Sequence, residues 1–343
     1  MGVRMSNRES DAGSLSRLLD PIAGHLEDVE SVLNEQVRGF DPGITDYVNY
    51  VIGVAGKRLR PTLALLAGGA TGRIGNEHIT LGVIVELIHV ATLVHDDVLD
   101  EASLRHGLST SNARWGNEVS VLLGDCLFAH ALSLAASYPA TTVCRRISQA
   151  ANTVCAGEIL QTQHRFDLDL TVDKYLEIIE MKTGALFAVS CELGAELNGS
   201  PTHVVKAMYE FGNNLGVAYQ IYDDCVDIFG QERQAGKSLG TDMKNGKLTL
   251  PWLLLLQHTG ADARQEVGEL ILRGEPAERT RLLSLVTGNG VLPESLITVQ
   301  KHIGRAAANL ADLPADVYSR SLTGLLDFVT AKTQSLLKEE VAA

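Results

Sequence analysis

The chain has 343 residues, 45% of them hydrophobic and 21% charged, enough to bury a sizeable core in one large domain or two ordinary ones. Its formal net charge of −13 excludes the basic surface that non-specific nucleic-acid binding needs. An acidic chain can still take an anionic ligand where metal ions and local Lys and Arg reverse the field in one cleft.

The first residues, MGVRMSNRESDAGS, are polar and lack the apolar core of a secretory signal. They fit the short myristoylation pattern M-G-x-x-x-S, which a frayed polar tail also matches by chance. Residues 1–12 are expected to be a disordered tail and 13–343 a single all-helical domain, cytoplasmic in setting. Asp20-Pro21 reads as an N-cap with Pro at the first helical position. Apolar residues then recur at helical spacing over about 61–70, 77–100, 115–136, 142–164, 172–198, 202–229 and 249–258. No run of alternating strands appears, and Gly and Pro fall mainly between the helices. Five cysteines, with no C-x-x-C, read as buried free thiols. No stretch of 18 or more uncharged apolar residues occurs, so no membrane span is expected.

The segment LGVIVELIHVATLVHDDVLD, residues 81–100, is apolar nearly all round, the mark of a buried helix. Its polar positions Glu86, His89, Thr92, Asp96, Asp97 and Asp100 fall in one arc, so the stripe ends in three carboxylates. Asp96 and Asp100 are one turn apart. Such a set in a partly enclosed place either shifts its pKa or binds cations, and hard oxygen donors suit Mg2+. A single D-D-x-x-D is equally consistent with a solvated helix end. The pattern recurs in GVAYQIYDDCVDIFG with Asp223, Asp224 and Asp227, where Gln220, Asp223 and Asp227 again share one arc. Two such helices would face each other across a cavity, and three Mg2+ ions would balance six Asp charges.

Cations accompany the two acidic helices. GKRLRP supplies Lys57, Arg58 and Arg60, with Lys57 and Arg60 on one face if a helix begins there. Arg105 follows the first acidic helix, MKTG contributes Lys182 and Thr183, and GKSLGTDMKNGKLTLP adds Lys237, Lys244 and Lys247. Each alone reads as an ordinary surface cation.

Taken in order, GKRLRP, ELIHVATLVHDDVLDEASLR, GEILQ, KTG, YQIYDDCVD and GKSLGTDMKNGKLTLP resemble the trans-type polyprenyl diphosphate synthases, most closely prokaryotic octaprenyl- or solanesyl-like members. The resemblance implies a single all-α bundle around a central cavity, a homodimer, and condensation of isopentenyl diphosphate with an allylic diphosphate. It implies that the six aspartates bind Mg2+ on the allylic diphosphate. Arg105, Lys182, Thr183, Gln220, Lys237 and Lys247 would hold that diphosphate or its metal network. Lys57, Arg60 and His89 would hold isopentenyl diphosphate, with Arg58 assisting. The catalytic set is then Asp96, Asp97, Asp223, Asp224 and Lys182.

One residue departs from the family pattern: where a second arginine normally follows, this chain has His106. Histidine is only partly charged near neutral pH and offers no bidentate fork, so weaker, pH-dependent binding of isopentenyl diphosphate is expected. Ala91 and Thr92, five and four residues before Asp96, are small. In the family, bulky residues there stop chain growth, so a product of thirty to fifty carbons is implied, with a deeper floor near Phe128 or Leu132. A shorter geranylgeranyl or farnesyl product is the alternative. A terpene cyclase would lack the second Asp-rich pentad, and a di-iron bundle would need a partner for Glu86-x-x-His89. A non-catalytic partner subunit would be expected to lose acidic motifs, which are intact.

Overall fold

The computed structural model describes residues 16–54, 56–230, 240–273 and 276–342. The expected tail at 1–12 and Lys237 lie outside these residues. Residues 16–19 are already helical, so Asp20-Pro21 does not start a helix as read from sequence. It opens a 3-10 turn, Asp20–Ile22, whose N-cap Leu19 makes no side-chain cap. Helix α1 (Ala23–Val37) continues from it, followed by α2 (Thr45–Val54), α3 (Leu59–Thr71) and α4 (Asn76–Leu99). A two-residue-strand hairpin, β1 (Leu104–Arg105) and β2 (Leu108–Ser109), is the one sheet among the described residues. Then come α5 (Ser111–Trp115), α6 (Asn117–Ala136), α7 (Thr141–Gln163), α8 (Val172–Ile179), α9 (Ala185–Glu196) and α10 (Thr202–Phe229). The chain ends with α11 (Thr241–Lys244), α12 (Leu250–His258), α13 (Ala261–Arg273), α14 (Pro276–Gly288), α15 (Val291–Ala308) and α16 (Val317–Ala342).

The residues group into two compact units, each drawn from three stretches of chain. One takes residues up to Asn152, Leu186–Gly212 and Asn309–Leu325; the other takes Thr153–Ala185, Asn213–Ala308 and the segment from Leu326. In the first unit α4 packs against α1, α3 and α6. Its apolar positions from Leu81 to Ala91 are almost wholly buried, as an all-round apolar helix requires. His78 fastens its start: Nδ1 accepts from the Gly75 N–H at 3.2 Å, and Nε2 donates to the Gly194 carbonyl at 3.0 Å. Burial pushes this imidazole below its ordinary range, in keeping with the neutral tautomer those two bonds need. In the second unit α12 packs against α8, α14 and α15.

Two described helices, α4 and α6, reach membrane-span length, with mean hydropathy 1.6 and 1.7. No unbroken run of 18 uncharged apolar residues marks them, because isolated polar residues interrupt each helix while its mean hydropathy stays high. For α4, 72% of the apolar window is buried within the protein, against 33% for α6. On α6 the stripe Leu123, Leu127, Ala131 and Ala135 is buried, while Val119, Val121 and Leu122 are exposed, Leu122 by 64%. The thiols also differ from expectation. Cys191 and Cys225 are buried, but Cys126 and Cys155 are exposed, because apolar neighbours on a helix do not decide which face a residue occupies.

Close helix contact in the first unit depends on Gly194, where an added Cβ would lie 2.6 Å from the Ala64 carbonyl oxygen. Gly304, inside α15, has open space around it. Gly194→Ala should lower stability by about 1–3 kcal/mol through overpacking. Gly304→Ala should raise it by roughly 0.5–1 kcal/mol through helix propensity. Urea unfolding of both variants checks the pair of signs.

Candidate active site

The polar stripe of α4 is graded along its length. Glu86 is 1% exposed, His89, Thr92 and Asp96 are half-buried, Asp97 is buried, and Asp100 is the C-cap. Asp97 is gripped by Arg105: Nε lies 3.0 and 3.2 Å from its two oxygens, and Nη2 lies 2.8 Å from Oδ1. Burial raises the Asp97 pKa, Arg105 opposes that, and the Asp96 and Asp100 charges add to the rise. For Arg105, burial works against the charge, but the Asp97 bond and the three aspartate charges override it.

Arg105 owes its position to the hairpin. Leu104 pairs with Ser109 and Arg105 with Leu108, leaving His106-Gly107 as a two-residue turn. Both turn residues have positive φ, 52° and 80°, as a type I′ turn demands. Histidine tolerates this left-handed region better than most residues, and glycine freely. The hairpin is fastened at its base. The Tyr50 hydroxyl donates to the Ser109 carbonyl at 2.6 Å, and Asn112 Nδ2 donates to the carbonyls of Ala102 and Asp97. The turn brings the His106 ring over the GKRLRP loop, where a Cβ on Gly56 would be 3.4 Å from Nε2.

That loop ends in a left-handed residue, Arg58 (φ 52°, ψ 37°), the N-cap of α3. The helix begins at Leu59, so Lys57 sits on the loop and shares no helix face with Arg60, as a helix starting at 57 would have required. Lys57 is exposed, while Arg60 is half-buried with its guanidinium 5.0 Å above the Phe187 ring. Burial, then the charges of Arg60, Arg105, Arg58 and His106, push His89 well below the ordinary imidazole range. His89 is therefore a neutral hydrogen-bonding group beside a cationic cluster.

In the second unit the helix expected over 172–198 is interrupted by a π-turn, Glu180–Gly184, which holds MKTG. Such bulges re-aim side chains and are frequent at functional sites. Lys182 Nζ donates to Gln161 Oε1 at 2.9 Å and pairs with the Glu158 carboxylate. Thr183 Oγ1 donates to Gln220 Oε1 at 2.8 Å, and Gln220 Nε2 donates to Asp224 Oδ1 at 2.7 Å. The Tyr175 hydroxyl donates to Asp224 Oδ2 at 2.5 Å. Asp227, 1% exposed, accepts from Thr241 Oγ1 and the Asp242 N–H, each at 3.3 Å. Asp223 is half-buried, Lys244 exposed and Lys247 buried. Asp224 and Asp227 are each anchored by protein donors. Tyr175, Asp242, Glu158 and Gln161 were missed from sequence. Glu158 and Gln161 had a signal, because GEILQ places them three apart on one helix face.

The donors suit a hard divalent cation. Burial, then Asp242, Tyr175 and Gln220 contacts and Asp223, act on Asp224, and the net effect raises its pKa to about 8. A cation would relieve the crowding of negative charge at both acidic sets. Among the described residues no three Asp, Glu, His or Cys side chains close into a ready-made metal cage.

The family model for polyprenyl synthetases matches residues 41–286. Octaprenyl diphosphate synthase of Escherichia coli is 32% identical over 313 residues, 91% of this chain and 97% of that protein. A decaprenyl diphosphate synthase structure from Rhodobacter capsulatus is similar with TM-score 0.87 and 33% identity, covering 93% of this chain and 99% of that one. A polyprenyl synthase from Caulobacter crescentus, complexed with calcium and isoprenyl diphosphate, also gives TM-score 0.87 at 33% identity, covering 92% and 97%.

The raised Asp224 makes a signed prediction for the metal-free protein. Between the ordinary carboxylate range near ~4 and about 8, the unfolded chain ionises this group while the folded one keeps it protonated. The wild type should therefore lose stability relative to Asp224→Asn as pH rises through that window, and the difference should level off above it. Thermal melts in EDTA across the range check this, and a pH-independent difference would contradict it.

Proposed function

The chain belongs to the polyprenyl synthetase family and is a prenyltransferase; on that premise we propose that it condenses isopentenyl diphosphate with an allylic diphosphate into a long all-trans polyprenyl diphosphate. The observation that carries this reading is the set of three aspartates closing α4, with Arg105 clamped to its buried member. Mg2+ held by Asp96, Asp97 and Asp100, and by Asp223, Asp224 and Asp227, would supply neutralisation of charge on the leaving diphosphate. Arg105 and Lys182, each oriented by a carboxylate partner, would each offer fixed positive charge to a diphosphate. The allylic C–O bond breaks with its electron pair on the diphosphate, and the double bond of isopentenyl diphosphate attacks the resulting cation. Proton loss to the departed diphosphate forms the new double bond, so no protein nucleophile is required. Lys57, Arg60 and His106 hold the diphosphate of isopentenyl diphosphate, with neutral His89 as a hydrogen-bonding group beside them. The apolar body of α4 keeps water from the cation.

The small residues Ala91 and Thr92 support a product of thirty to fifty carbons. Thr92 turns its hydroxyl back onto the His89 carbonyl at 2.7 Å, which satisfies its polar atom within the helix. The exposed apolar face of α6 supports a homodimer that covers it.

Incubation of the purified protein with isopentenyl and farnesyl diphosphates and Mg2+ should yield polyprenyl diphosphates in that range from a dimeric species by light scattering. Asp96→Ala and Asp223→Ala should each lose at least about 10²–10³ in turnover, as when a charge-stabilising group is removed, with an unchanged helical circular dichroism signal. Full activity in either variant, or a sole fifteen-carbon product, would contradict the assignment.

Replacing His106 tests the departure from the family pattern. Arginine at 106 should lower KM for isopentenyl diphosphate and remove the gain in affinity expected of the wild type on acidification. His89 should not mimic this gain, because its burial and cationic neighbours keep it neutral there. An unchanged KM and pH profile in His106→Arg would exclude His106 from the diphosphate site.

A further inference from the structure

Arg58 stands in the middle of the cationic loop, yet its guanidinium is turned inward. Nη1 donates to Glu86 Oε1 at 2.7 Å, Nε donates to Glu30 Oε1 at 2.5 Å, and Nη2 reaches Glu30 Oε2 at 3.3 Å and the Ile52 carbonyl at 3.2 Å. The fork thus joins α1, the end of α2 and the centre of α4. Its partners differ in setting: the Glu86 side chain is 1% exposed and that of Glu30 44%. A carboxylate as deeply buried as Glu86 is tolerable only with such a partner.

The same residue adopts a left-handed backbone that side-chain-bearing residues seldom take. Strained positions of this kind persist where surrounding contacts over-determine them. Here the over-determining contacts are the four hydrogen bonds from the guanidinium to Glu30, Glu86 and Ile52. The neighbours are the functional cations: Lys57 immediately before, and Arg60 two residues after in the first turn of α3. Any change in the backbone at 58 rotates the loop against the helix and moves Lys57 relative to Arg60.

We propose that Arg58 is a positioning residue: its buried ties to Glu86 and Glu30 lock the left-handed turn that sets Lys57 and Arg60 at the spacing needed to grip isopentenyl diphosphate. Arg58 on this account does not itself touch substrate, which revises the assisting role that the family resemblance implied. Glu86 gains a role as the anchor of a substrate loop on the same helix that carries the aspartates. The inference rests on the proposed reaction only in naming the ligand.

The test separates positioning from bulk stability. Arg58→Met alone strands the Glu86 carboxylate and should lower the melting temperature. The double variant Arg58→Met with Glu86→Met removes both charges and should recover most of that loss, since a buried pair can be replaced by apolar groups at little net expense. It should nevertheless bind isopentenyl diphosphate at least about tenfold more weakly, as displaced positioning groups do. The KM for the allylic diphosphate should stay near wild type and kcat should fall less than the KM for isopentenyl diphosphate rises. Glu30→Ala removes a half-exposed partner, so it should fold and show the same selective weakening to a smaller degree. Affinity is read by calorimetry with isopentenyl diphosphate as well as by kinetics. A wild type that binds this ligand without turning it over would overturn the reaction but leave the strut testable. Wild-type affinity for isopentenyl diphosphate in both the folded double variant and Glu30→Ala would overturn the proposal.

Discussion

A carboxylate at the C-terminal end of a helix adds to the negative pole of the backbone dipoles, an arrangement unfavourable by about 0.3–1 kcal/mol per charge. Helices α4 and α10 both end this way, with Asp96, Asp97 and Asp100 on one and Asp223, Asp224 and Asp227 on the other, and neither has a basic residue in its last turn. Burial sharpens the conflict at Asp97 and Asp224, whose pKa values both rise. The rest of the site can be understood as management of this negative charge. Protein donors hold Asp97, Asp224 and Asp227 in place, and on the proposed reading a divalent cation with diphosphate would neutralise the sets.

The arginines show how that management is divided. Arg105 is tied to Asp97 and Arg58 to Glu86, so each of these cations belongs to a carboxylate of α4. The two pairs nevertheless do different work. Arg105 stands half-exposed at the mouth of the aspartate set, on a hairpin whose geometry is set by His106 and Gly107. Arg58 is turned into the protein and fixes the backbone that carries Lys57 and Arg60. Histidine at 106 meets the backbone demand of a type I′ turn while giving up the permanent charge of an arginine.

The long helices were legible because their chemistry is periodic. The burial of α4, its polar stripe and the matching end of α10 all follow from residues recurring at helical spacing. What escaped was geometry without period. The π-turn at Glu180–Gly184 inserts extra backbone into an apolar pattern that continues on both sides. The hairpin spans too few residues for alternation to show, and His-Gly is a less familiar turn pair than Asn-Gly. Tyr175 lies on the apolar stripe of α8 and reads as core, yet its hydroxyl reaches Asp224. Arg58 reads as one more loop cation, because nothing in GKRLRP announces a left-handed residue bonded to two glutamates far away in sequence.

The central claim is that the aspartate sets serve an anionic ligand only through divalent cations. Its most direct test is a calorimetric titration with an allylic diphosphate whose bridging oxygen is replaced by sulfur, so that it binds without ionising. The account predicts clear binding in Mg2+, none in EDTA, and none in Mg2+ for Asp96→Ala. Equal affinity in Mg2+ and EDTA would contradict it.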